Sequence, residues 1–276
     1  MTEFLDKPQR LESTIPEFDI ALRAATEAGK EIMKVYTSDF TSEKKADDSP
    51  ITLADLKSNK IIKEILSKTK IKILSEEDKD DKRRLDEDKI WIVDPLDGTS
   101  DFIKKTGEFT VMIGLVQKKK PILGVIYVPT QNILFASQKK CGAWRYSNGS
   151  WTSILVSKIS KLSQCRAVGS RYHISENEKK ILEKLKIAKF TSVGSSLKVA
   201  KISSGEAEVY FTSTNKIKEW DTCASYSILS EAGGKMTDVF GNDLLYNCQN
   251  VSHQNGILAT NGLIHEEMIK EIKKSK

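Results

Sequence analysis

The run Lys89-Ile90-Trp91-Ile92-Val93 is apolar and compact, as strands buried on both faces are, and it stops abruptly in Asp94-Pro95-Leu96-Asp97-Gly98-Thr99. Carboxylates rarely occupy the end of a buried strand unless they are paired or bound to metal. Pro95 has no N–H to donate and stiffens the backbone between the two acids. A three-residue offset around such a bend can aim Asp94 and Asp97 at one point and expose the Leu96 carbonyl between them. That all-oxygen donor set suits Mg²⁺, a hard cation that wants octahedral oxygen ligands and keeps several waters. Gly98, Thr99 and Ser100 are small enough to leave backbone N–H groups free for an anion, and a helix opening there would add its dipole. The hexapeptide therefore reads as a seat for a metal-bound phosphate. Taken alone, a turn tied by its own Asx hydrogen bonds is the ordinary alternative.

Length and composition decide what can surround that turn. At roughly 150 residues per domain, 276 residues make one large domain or two intimately packed ones. Hydrophobic residues at 39% and charged ones at 30% exclude a disordered chain. No apolar run approaches the roughly 18 to 20 residues of a membrane-spanning helix, and the opening MTEFLDKPQR lacks the apolar stretch of a secretory signal. Cys141, Cys165, Cys223 and Cys248 are scattered with no Cys-x-x-Cys pair, which reads as reduced thiols in a cytoplasmic protein and not as a zinc site. The net charge of +6 lies mostly on lysines spread along helices and tails without interleaved aromatics. No nucleic-acid partner is expected; a small anionic substrate is compatible with it.

Apolar spacing predicts helices over 15–36 and 55–68, a turn at Asp48-Ser49-Pro50, a short strand at 71–74 and an exposed, mixed-charge loop over 76–88. Strands at 110–116, 122–128, 133–137 and 143–146 then predict a mostly antiparallel sheet. Beyond the turn Ser147-Asn148-Gly149 the rhythm changes. Strands at 166–169, 206–211 and 256–260 alternate with helices at 177–186, 195–203, 222–232 and 263–274, so an α+β half (1–146) is expected to precede an α/β half (147–276).

Other acids fall at comparable places. Glu76 and Glu77 follow the strand at 71–74, Asp221 lies between Trp220 and the next helix, and Asp55 opens a helix after Thr52. Singly they read as a loop acid, a helix cap and a first-turn acid stabilised by the helix dipole. In order along the chain, however, residues 48–55 (DSPITLAD), 74–77 (LSEE), 91–99 (WIVDPLDGT) and 219–234 (EWDTCASYSILSEAGG) resemble the lithium-sensitive, Mg²⁺-dependent phosphatases of the inositol monophosphatase superfamily. Within it, residues 101–110, 121–129, 169–173 and 193–198 are most similar to the 3′(2′),5′-bisphosphate nucleotidases of CysQ type. The resemblance covers about residues 18–262.

That resemblance implies a layered α-β-α-β-α sandwich. It implies two or three Mg²⁺ ions on Glu76, Asp94, Asp97, Asp221 and the Leu96 carbonyl, and an attacking water oriented and deprotonated by Asp55 and Thr99. In-line attack on phosphorus without a phospho-enzyme follows from it. Gly98, Thr99 and Ser100 would hold the reacting phosphate, and Ser170, His173, Gly194, Ser195 and Lys198 the nucleotide and a second phosphate. Arg171, with its fixed fork of donors, is a plausible phosphate ligand beside them. The expected reaction converts 3′-phosphoadenosine 5′-phosphate, and also its 5′-phosphosulfate, in a cytoplasmic monomer or homodimer, free or peripheral at the inner membrane face. It would clear a by-product of sulfate assimilation. Inositol monophosphatase or fructose-1,6-bisphosphatase activity on the same centre is the enzymatic alternative. A retired enzyme acting as a sensor is the other rival, and the complete set of acids with Thr99 argues against it. Two departures bear on the base pocket. Residues 211–218 read FTSTNKIK where the best-known bacterial members carry Pro-Arg-Phe-Gly-Pro-Thr, with Lys216 and Lys218 as candidates to restore the positive charge, and Tyr172 replaces a usually small residue.

Overall fold

Helix α1 (Pro16–Tyr36) starts on a proline, whose missing N–H costs nothing in a first turn, and carries Glu17 and Asp19 at its positive end. Its buried stripe of Phe18, Leu22, Ala25, Ala28 and Ile32 packs with α2 (Leu53–Leu66) on one face of a seven-stranded sheet. This is a computed structural model describing residue 11 and residues 15–44, 50–172 and 174–274; Asp48 and Ser49 of the expected turn lie outside the described residues. Pro50 instead opens a short strand, β2 (Pro50–Thr52), antiparallel to β1 (Ser42–Lys44).

The large sheet runs in chain order: β3 (Lys72–Ser75), β4 (Lys89–Asp97), β5 (Thr110–Gln117), β6 (Lys120–Val128), β7 (Ile133–Gln138), β8 (Gly142–Ser147) and β9 (Ser150–Ile154). Only β3 and β4 pair in parallel; every later neighbour is antiparallel. Side chains alternate across it. Trp91 and Val93 face α1 and α2, while Ile90 and Ile92 face the second half of the chain, which is why this strand is apolar without a break.

The second sheet has the order β11 (Lys189–Val193), β10 (Arg166–Ser170), β12 (Val209–Thr212), β14 (Ile257–Thr260), β13 (Lys235–Thr237), with β10 parallel to both of its neighbours. Tyr210, Ile257 and Ala259 point to the helices α5 (Leu197–Ser203) and α6 (Cys223–Glu231) between the sheets. Val209, Phe211 and Leu258 point outward to α4 (Glu176–Lys184) and α7 (His265–Lys274). The result is the five-layer α-β-α-β-α sandwich expected from the resemblance. Close packing of its middle layer depends on glycine: a Cβ on Gly124 of β6 would come within 2.3 Å of the Ala224 carbonyl oxygen of α6, and one on Gly114 within 2.3 Å of Cys223 Sγ. Among the described residues no helix is long and apolar enough to cross a membrane.

Sequence periodicity missed β9, β11 and β13, which are short or lie at a sheet edge with little apolar alternation. The mixed-charge run is intermediate or exposed, in line with expectation, at every position but one. Arg84 within it is buried (3% exposed). It pairs with Asp80 at 2.8 Å and donates to Asn247 Oδ1 at 2.7 Å and the Cys248 carbonyl at 2.9 Å, while Asn247 N–H donates to buried Glu219 at 2.7 Å. Charge density suggested solvent, yet complementary buried partners clasp this loop to the second half of the chain.

Candidate active site

Asp94 and Asp97 lie three positions apart, so a regular strand would send them to opposite faces. The β4–β5 register prevents this: Asp94 faces Met112 and Asp97 faces Thr110, so three steps on β4 match two on β5 and one residue is extra. That bulge returns both acids to one side. The strand therefore continues as far as Asp97, where the sequence suggested a bend after Val93. Pro95 is tolerated because β3 pairs with β4 only as far as Val93, leaving this stretch without a partner on that edge. The same parallel register pairs Ser75 with Val93, and Glu76 N–H extends it by donating to the Val93 carbonyl at 3.1 Å, which brings Glu76 beside Asp94.

Asp55 serves two partners. Its Oδ2 accepts Thr52 N–H at 2.7 Å in a capping box that starts α2, and its Oδ1 accepts the Thr99 hydroxyl at 3.1 Å. Thr99 Oγ1 also lies 3.2 Å from the Leu96 carbonyl. Thr99 follows Gly98, whose φ of +94° is natural only for glycine, and begins α3 (Thr99–Ile103). Five residues build little macrodipole, so the expected dipole contribution is small. Asp97 accepts Ser196 N–H and lies 3.3 Å from the Thr110 hydroxyl. Asp221 does not cap α6. Its Oδ2 accepts Lys218 N–H at 2.7 Å, upstream of the helix.

A cleft of about 460 Å³ collects Glu76, Asp97, Gly98, Thr99, Ser100, Ser170, Gly194, Ser195, Lys198 and Asp221 on its lining. Asp94 and Asp55 lie buried behind it (2% and 1% exposed). Arg171 does not line it; its guanidinium pairs with Glu108 and approaches Asp101 at 3.6 Å. His173 lies outside the described residues. Sequence reasoning did not single out Ser196 and Thr110, which hold Asp97, or Glu108, which takes Gly194 N–H at 2.7 Å as well as Arg171. A backbone N–H leaves no side-chain signature, although all of these residues fall within or beside stretches that carry the resemblance.

Burial, and then the charges of Glu76, Asp97 and Asp221, push the Asp94 carboxyl well above its ordinary range. Burial and the Glu76 charge do the same to Asp221. Asp97 is raised by burial against the opposing pull of Lys198, and Asp55 by burial. Burial lowers Lys198, whose ammonium donates to the Ser195 carbonyl at 2.5 Å. Among the described residues no three His, Cys, Asp or Glu side chains are already drawn together closely enough to hold a metal ion. The acids stand around an open cleft with mutual repulsion only partly offset by Lys198 and by backbone N–H donors, and a divalent cation taking their oxygens would relieve it. The donor chemistry therefore fits Mg²⁺.

The model of the inositol monophosphatase family matches residues 15–276, nearly the whole chain. The chain belongs to the inositol monophosphatase family. It is thus a phosphatase, in a family of metal-dependent enzymes. Among its relatives, the 3′(2′),5′-bisphosphate nucleotidase CysQ of Escherichia coli strain K12 is 37% identical over 238 residues, covering 83% of this chain and 93% of that protein. The crystal structure of CysQ from Bacteroides thetaiotaomicron superposes with a TM-score of 0.79 at 32% identity, covering 88% of this chain and 96% of the other. An inositol monophosphatase from Anabaena has a TM-score of 0.76 at 29% identity, with 94% and 95% covered. This member of the family thus shares its fold with proteins of both substrate types.

Proposed function

We propose that this chain is a Mg²⁺-dependent 3′-phosphatase that converts 3′-phosphoadenosine 5′-phosphate to AMP and phosphate and also accepts the 5′-phosphosulfate. The observation that carries the catalytic part is the 3.1 Å hydrogen bond from Thr99 to Asp55 beside the acidic cleft; the CysQ relatives support the substrate class. Because Asp55 Oδ2 is taken by Thr52, Oδ1 is left to draw on the Thr99 proton, and the Thr99 oxygen can in turn accept from a water aimed at phosphorus. That water attacks in line with the departing ribose oxygen, and no side chain is phosphorylated. Two or three Mg²⁺ ions on Glu76, Asp94, Asp97, Asp221 and the Leu96 carbonyl would, when bound, make the water more acidic and offset charge on the phosphate. Gly98, Thr99 and Ser100 hold the reacting phosphate, while Ser170, Gly194, Ser195 and Lys198 face the nucleotide.

The second reading, an inositol monophosphatase or fructose-1,6-bisphosphatase, is favoured by the close fold match to the Anabaena enzyme. Phosphate release with Mg²⁺ from the adenosine bisphosphate, inositol 1-phosphate and fructose 1,6-bisphosphate separates the readings. The nucleotide is expected to be hydrolysed most efficiently. Preference for either of the others overturns the substrate assignment, and no metal-dependent turnover of any would make the protein a binder of phosphorylated ligands.

A further inference from the structure

The segment from Ser213 to Lys218, where this chain departs from the better-known bacterial nucleotidases, is fixed at both ends. At its start, Ser213 N–H donates to Glu178 at 2.8 Å, and the buried Glu178 carboxylate (4% exposed) also closes the capping box of α4. At its end, Lys218 N–H donates to Asp221 at 2.7 Å, Lys218 Nζ donates to Ser252 Oγ at 2.6 Å, and the two residues form a β-bridge. Between these clamps Lys216 N–H meets Thr214 Oγ1 at 3.2 Å, a tight turn that leaves Thr214, Lys216 and Ile217 on the wall of the cleft.

The two lysines of the segment are therefore unequal. The Lys218 ammonium is engaged by Ser252 and does not line the cleft. Lys216 does line it, and among the described residues its ammonium makes no hydrogen bond or ion pair. The other lysine of the lining, Lys198, donates to Ser195 and is drawn to Asp97, and the Arg171 guanidinium is held by Glu108. An uncommitted, exposed cation stands at the rim of a cleft rich in acids, on a loop whose far end is hydrogen-bonded to Asp221, so the backbone that carries it is anchored beside the reacting centre.

We propose that Lys216 binds the phosphate that is not cleaved and so makes this protein selective for doubly phosphorylated substrates over monophosphates. The inference rests on the phosphatase reading above and adds the residue that counts the second charge. In the test, kcat/KM is measured for 3′-phosphoadenosine 5′-phosphate and for adenosine 3′-phosphate, which presents the same reacting group without the second phosphate. Lys216→Gln is expected to lower the bisphosphate-to-monophosphate ratio about tenfold or more, the size of a lost hydrogen bond to a charged group, mainly through KM. Lys216→Arg should restore the ratio, and added salt should erode it in the wild type more than in the Gln variant. An unchanged ratio in Lys216→Gln overturns the proposal. If the wild type hydrolyses neither nucleotide, the functional reading fails by itself; calorimetric binding of the two nucleotides then decides about Lys216, and equal preference in wild type and Lys216→Gln overturns it.

Discussion

At the scale of single residues, Asp94 carries a severe conflict of charge. It is buried, it faces Glu76, Asp97 and Asp221, and its proton is held far more tightly than an ordinary carboxyl's. Asp94→Asn removes that repulsion while retaining the oxygen that accepts Leu96 N–H at 3.0 Å. In metal-free protein at neutral pH the variant should melt about 2–4 °C higher than wild type, whereas Mg²⁺ should stabilise wild type more than the variant and turnover should vanish. Normal turnover in Asp94→Asn would refute a role in metal binding; an equal or lower melting point without metal would refute the repulsion. Asp94 and Asp97 were legible in the sequence because they end an apolar strand, where charge needs a reason, whereas Glu76 and Asp221 were legible only through the resemblance. Ser196 was not, because it acts on Asp97 through a backbone N–H that any residue type possesses. Arg171 has chemistry that suits phosphate, and in the structure its guanidinium pairs with Glu108.

At the scale of elements, most helices and central strands follow from apolar period, whereas edge strands do not. Strand β11 is mostly exposed and offers no alternation to read, and β13 spans only three residues. Nor does periodicity reveal the bulge in β4, since an extra residue is defined by a partner strand that the local sequence does not name. Contacts between elements are equally hidden, as the glycines of β5 and β6 illustrate. Gly124→Ala would force its new methyl into the Ala224 carbonyl, and because the obstacle is backbone the layer must shift. A loss of about 1–3 kcal/mol in urea unfolding is expected. Stability within error of wild type would mean that α6 can move off the sheet without cost.

At the scale of the whole molecule, stability should depend on pH through two buried histidines in the second half of the chain. His265 lies between the Thr237 and Thr260 hydroxyls at 2.9 and 2.8 Å, and burial holds its pKa down at about 4 against an ordinary 6.5; burial does the same to His253. Between pH 6.5 and 4 the unfolded chain takes up protons that these folded imidazoles refuse. Their contribution to stability is therefore complete above pH 6.5 and lost as pH falls, by about 2 kcal/mol for each group at pH 5. His265→Gln, which can still meet both hydroxyls, should lose about 2 kcal/mol less than wild type between pH 7.5 and pH 5 in urea titrations; equal losses would place the acid sensitivity elsewhere. The cleft itself belongs to neither sheet. Asp94 and Asp97 stand on β4 of the first, yet Asp97 is gripped by the start of α5, and Asp221 arrives on the segment that leaves the second. On the proposed site, catalysis is thus a property of a seam. Warming or a mild denaturant that only parts the two sheets would silence the enzyme while each sheet kept its hydrogen bonds, so activity would act as an early alarm for a molecule that still looks folded.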